Sequence, residues 1–339
     1  MTNKSSTWNI NDRRNKPFLL RPSGKDYLWG GNRLKDDFSK DLDLFPLAET
    51  WECSTHPDGP STVVSGKYKG QLLTVVLQQH PEYIGTHPHT KGELPILIKM
   101  IDAKKNLSIQ VHPNDEYAMK YENGQLGKTE MWYVLDAAKD SSLIYGLCQD
   151  TDMEILRKSI QKGSFEKYLR KVAIKKGDVF YIEAGMIHAI GAGALVVEIQ
   201  ENSNLTYRLY DYNRVDKNGK KRELHIDKAL EAANLHRSEE PVQPMRVLQY
   251  RQGCVMEFLC RCKYFQVERM LLNTECCREM LSFQTTGVSF EVLLCLNGCG
   301  SILYDEEMFQ FVKGDCIFIP ANSVLMKIHG KAEFLKVSC

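Results

Sequence analysis

Short apolar runs broken by glycine, proline and asparagine turns recur along nearly the whole chain, a pattern that predicts a mainly β protein. The runs F-L-L-R and Y-L-W-G-G within residues 17–31 predict a strand and a glycine-marked turn, with Trp29 in the core. Further strands are predicted over residues 46–54, 94–103, 107–112, 130–135 and 143–146, and again from Ala173 through 196–200 and 206–212. Helical spacing interrupts this pattern at residues 72–80, at 116–121 behind a cap at Asn114 or Asp115, and at 226–236. The longest interruption is 152–170, where Met153, Leu156, Ile160 and Tyr168 fall on one side and Gly163 breaks the run. The segment E-E-P-V-Q-P at 239–244 reads as a linker, after which strands are predicted at 264–272, 290–296, 300–304, 316–320, 324–328 and 333–337.

An internal echo crosses that linker. G-D-V-F-Y-I-E-A-G-M-I-H from Gly177 aligns with G-D-C-I-F-I-P-A-N-S-V-L from Gly314, and His188 falls on Leu325. The expected organisation is an N-terminal tail over 1–15, a first domain over 16–238 with a helical insertion near 151–170, and a second over 245–339 that repeats the scaffold without the metal histidines. The length of 339 residues suits two cores. Lysine and arginine number 44 against 43 acids, which provides no broad field for nucleic acid or an anionic membrane, so any phosphate is met locally. The eleven cysteines lack a regular framework and are expected as reduced, mostly buried thiols. The N-terminus has no apolar signal region and no run is long enough for a membrane span, so a cytoplasmic protein is expected, with monomer and homodimer both open.

The chemistry concentrates in residues 107–130 and near His188. Gln110 and His112 stand two apart and project from one face of a strand, Pro113 ends that strand, and Gly124 and Gly127 return the chain to Glu130. His188 sits just inside a strand after a small-residue turn. Two imidazoles and two oxygen donors suit zinc best, iron or manganese less well. Lys99 is a charge in an apolar run, either solvent-facing or aimed into the cavity at an anion. His56, in H-P-D-G-P, reads as a loop residue, and T-H-P-H-T at 86–90 as an exposed loop.

Q-V-H-P at 110–113, K-T-E at 128–130, H-A-I-G-A-G at 188–193 and E-I-Q-E-N-S-N-L-T-Y-R-L-Y-D-Y at 198–212 resemble type I mannose-6-phosphate isomerase, in its short bacterial form. The resemblance runs in order from about Pro17 to the C-terminal domain. It implies a mainly β fold of two cupin-type (jelly-roll) β-barrels with a small helical insertion. It also implies one zinc ion per chain held by Gln110, His112, Glu130 and His188, an active-site Arg208, and Glu198 or Lys128 for proton transfer. Asn204 departs from many relatives, which have aspartate there, so no acid is available at that position. The expected reaction interconverts mannose 6-phosphate and fructose 6-phosphate through an enediol. Without a glycine-rich phosphate loop, Lys99, Ser108, Lys128 and Arg208 are the expected phosphate cradle. On its own, Arg208 reads as a salt-bridge partner of Asp211. Two alternatives stand beside the isomerase: an iron cupin performing dioxygen chemistry, and a non-catalytic metal-binding cupin that recognises sugars.

Overall fold

A computed structural model of the chain describes residues 15–87, 93–215 and 219–339. Among these residues the strands form sheets of ten, six and five strands. The expected N-terminal tail lies outside them up to residue 14, and Asn15 pairs with Ser323.

The site-bearing half is a jelly roll of two facing sheets. Its six-stranded sheet runs in the order Val179–Ile182, Glu130–Ala137, Ala194–Glu201, Ile96–Ala103, Glu49–Cys53 and Ser23–Lys25. Its five-stranded sheet runs Tyr207–Tyr210, Ile109–Val111, His188–Ile190, Ser142–Leu147 and Leu169–Ala173. The two sheets face one another as the expected jelly roll, without joining into one continuous hydrogen-bonded barrel. Trp29, Ile101, Trp132, Val134, Phe180 and Val196 fill the space between them.

The reverse face of the six-stranded sheet is also covered, because Ile98, Met100, Met131, Tyr133, Val197 and Ile199 join Val292, Leu294, Leu335 and Val337 of the C-terminal half in one core. Burial on both faces explains why residues 96–103 read as a continuous apolar run rather than an alternating one. Lys99 is the price of that site, a cation inside a strand buried along its whole length.

The predicted helical elements form. Met153–Gln161 is capped by the Asp152 side chain and ends well before residue 170, where Leu169–Ala173 is already a strand; Asp115–Tyr121 is capped by Asn114, and Leu73–Gln79 and Ile226–Ala232 follow their predicted spans with earlier ends. Met153 is exposed, although its spacing placed it on the buried side with Leu156.

The echo is structural. Gly177 and Gly314 have φ of +87° and +97°, values glycine adopts without strain. Gly177 donates to the Val134 carbonyl as Gly314 does to that of Cys295, and Asp178 and Asp315 each accept the N–H three residues upstream. The first strand, Phe18–Arg21, pairs on one edge with Cys316–Ile319 and on the other with Thr62–Val63, so the chain opens in the sheet of the C-terminal half.

Candidate metal centre

Period-two alternation along Glu130–Ala137 turns Glu130, Trp132 and Val134 inward. On the facing sheet, Gln110 lies opposite His188 on one side and Arg208 on the other, so the three share a face. His112 follows immediately after that strand, and its carbonyl accepts the Gly185 N–H that shapes the turn before His188. His112, Glu130 and His188 are buried, and their ligand atoms lie within 4.8 Å of one another. His112 Nε2 is 3.1 Å from Glu130 Oε1 and 3.1 Å from His188 Nε2, and His188 Nε2 is 3.8 Å from Glu130 Oε2.

These residues fit a metal ion. Each Nδ1 meets a backbone carbonyl, Leu205 at 2.7 Å for His112 and Met186 at 2.8 Å for His188, which fixes the Nδ1–H tautomer. Both Nε2 atoms therefore present lone pairs to each other, an arrangement a cation between them relieves. Burial, then the Lys128 ammonium, pulls the His112 pKa down to about 3, and burial lowers that of His188, so both rings stay in the neutral, ligating form. Glu130 Oε1 is buried and accepts no well-angled hydrogen bond, while against burial the Lys128 ammonium beside it holds the carboxyl well below its ordinary pKa.

A row of charged and aromatic side chains crosses the six-stranded sheet beside the cluster, with Trp51, Lys99, Glu198 and Trp132 in successive register. Lys99 is buried, 3.1 Å from Glu198 and 5.1 Å from the centre of the Trp51 ring. This settles its orientation toward the interior. Burial and then the Glu130 carboxylate raise the Glu198 pKa against the pull of Lys99. Lys128 lies 2.9 Å from Glu130. Trp132 Nε1 donates to Glu130 Oε2 and to Glu198 Oε2, each at 3.0 Å.

Arg208 is half-buried; its Nε donates to Ser108 Oγ at 3.3 Å and its Nη1 to the Glu223 carbonyl at 2.8 Å. It does not pair with Asp211, which is held instead by Arg214 and Arg222. Asn204 donates to Asp58 at 2.7 Å, away from any proton-transfer role. His56 is a loop residue edge-on to Trp51, and residues 88–92, which include part of the T-H-P-H-T cluster, lie outside the described residues.

Sequence reasoning missed Trp132, Trp51 and Glu49, whose carboxylate accepts from Trp51 Nε1 at 2.9 Å. An inward tryptophan in an apolar strand carries the same signal as a packing residue, and only the register reveals its polar partners.

Residues 18–141 match the family described as phosphomannose isomerase type I, catalytic domain, and residues 255–339 that described as mannose-6-phosphate isomerase, cupin domain. The chain is 37% identical over 322 residues to the mannose-6-phosphate isomerase ManA of Bacillus subtilis, covering 94% of this chain and 97% of that one. It belongs to the type I mannose-6-phosphate isomerase family. The mannose-6-phosphate isomerase of Streptococcus mutans is 33% identical, with 94% and 97% covered. The crystal structure of the Bacillus subtilis mannose 6-phosphate isomerase superposes with a TM-score of 0.87 at 35% identity, covering 96% of this chain and all of that one.

Proposed function

We propose that the protein interconverts mannose 6-phosphate and fructose 6-phosphate with one zinc ion per chain, through an enediol. The observation that carries this reading is the convergence of the neutral imidazoles of His112 and His188 on the Glu130 carboxylate, beside the buried Glu198–Lys99 pair. Gln110, on the same face as His188, is the fourth proposed ligand. When bound, zinc would act as a Lewis acid toward the sugar oxygens next to the carbon that gives up its proton.

The chain's residues supply the remainder. Glu198, with its pKa raised by burial and by Glu130, is the proton-transfer group, and Lys99 holds it in place. Lys128 is the second candidate, although its ammonium is already paired with Glu130. Arg208 and Ser108, joined at 3.3 Å, form the anion-binding end of the cradle, while Lys99 and Lys128 add positive potential from within their ion pairs.

The test is a coupled assay of the purified protein with mannose 6-phosphate, run alongside Arg208→Lys. Turnover is expected, and the variant should lose about 1.5–3 kcal/mol in transition-state stabilisation, read from kcat/KM, because a point charge does not replace the forked donor. Absence of turnover in zinc-loaded protein would favour the sugar-recognition cupin instead.

A further inference from the structure

We propose that Trp132 is a positioning residue whose indole N–H fixes the gap between the metal-side carboxylate of Glu130 and the proton-transfer carboxylate of Glu198; this rests on the roles proposed above for those two glutamates. Trp132 is fully buried, and the register sets it directly across from Glu198 while period two places it on the same face as Glu130. Its single N–H stands 3.0 Å from an oxygen of each, a three-centre bond between one neutral donor and two anions.

The other oxygen of each carboxylate has its own cation, Lys128 at 2.9 Å for Glu130 and Lys99 at 3.1 Å for Glu198. The indole is therefore the hydrogen-bond link between two separate ion pairs. The N–H itself is not needed for packing, since a bicyclic aromatic ring of the same size without it would fill the same space. The ring also stands edge-on to His188, with centroids 5.4 Å apart and planes at 73°, so one side chain restrains two proposed ligand positions and the base. Without the N–H, like charges face one another across the gap and each carboxylate is free to turn toward its lysine. Glu130 Oε2 would then move off from His188 Nε2, now 3.8 Å away, and Glu198 would lose its second anchor.

The test replaces Trp132 with β-(3-benzothienyl)alanine, which keeps the ring and substitutes sulfur for N–H, and separately makes Trp132→Phe. Zinc affinity of the metal-free protein is measured by competition with a chromophoric chelator, and kcat and KM with saturating zinc. The expected result is a zinc dissociation constant about 10- to 100-fold weaker and a kcat lower by a similar factor, with KM little changed because Arg208 and Ser108 are untouched. In a Glu198→Gln background the same replacement should cost much less in kcat. A lowered melting temperature with zinc affinity and kcat unchanged in the benzothienyl variant would overturn the positioning role and leave a packing residue. If His112→Ala binds zinc as well as the parent protein does, the metal reading itself falls, and this inference with it.

Discussion

At the scale of single residues, the candidate site combines neutral imidazoles with paired charges, and each member has a distinct expected signature on removal. Glu198→Gln is expected to lower kcat by about 10²–10⁴-fold while leaving zinc uptake intact, measured by steady-state kinetics and metal analysis on the same sample. Lys99→Met strands a buried carboxylate, which costs about 3–5 kcal/mol, and should raise KM for mannose 6-phosphate if Lys99 contributes to the cradle. Denaturant unfolding and initial rates separate the two effects; an unchanged KM would remove Lys99 from the cradle. Much of this was legible beforehand, because Gln110 and His112 at strand spacing, with Glu130 and His188 opening strands, are polar residues where core is expected. The partners of Arg208 were not legible. Asp211 is near in sequence, but strand geometry gives it to Arg214 and Arg222 and turns Arg208 toward Ser108.

At the scale of elements, the Glu130–Ala137 strand is anchored at its start by Glu201, whose Oε1 accepts the Thr129 N–H at 2.8 Å. Burial, and then the Asp115 carboxylate, raise the Glu201 pKa from 4.5 to about 8. A carboxyl whose folded pKa is raised favours folding most below its unfolded pKa and loses that contribution as pH rises through the folded one. Stability should therefore decline between pH 4.5 and about 8, and Glu201→Gln, which keeps the acceptor oxygen, should flatten that slope in urea midpoints measured across the range. The duplicated elements show how the site is lost elsewhere. By register, Glu291 stands where Glu130 does, Lys336 where Glu198 does and Glu268 where Lys99 does, so an ion pair recurs with its signs reversed, only part-buried and without imidazoles beside it. Strands Leu248–Arg251 and Cys254–Arg261 went unpredicted. The first is exposed throughout, and a bulge between Phe258 and Cys260 breaks the alternation of the second.

At the scale of the whole molecule, the halves share a core and a sheet. Phe318 stacks between Phe18 and Phe290, with ring centroids 5.2 and 5.3 Å apart, so the first strand of the chain is part of the C-terminal jelly roll. A fragment of residues 245–339 lacks that strand and uncovers Val292, Leu294, Leu335 and Val337; it is expected not to fold as a monomer, whereas the full chain should unfold in one transition by circular dichroism. Sequence periodicity divided the chain at the linker because strand order along the chain carries no information on which sheet a first strand joins. The C-terminal half packs behind the sheet that carries the candidate metal centre, and zinc bound there is proposed to serve isomerisation. The direct measurement is mannose 6-phosphate turnover before chelation, after it, and after zinc is restored. Activity should vanish with the chelator and return with zinc, and in Glu130→Ala it should be absent throughout. Full activity in protein shown by metal analysis to be zinc-free would rule out a role for zinc in the isomerisation.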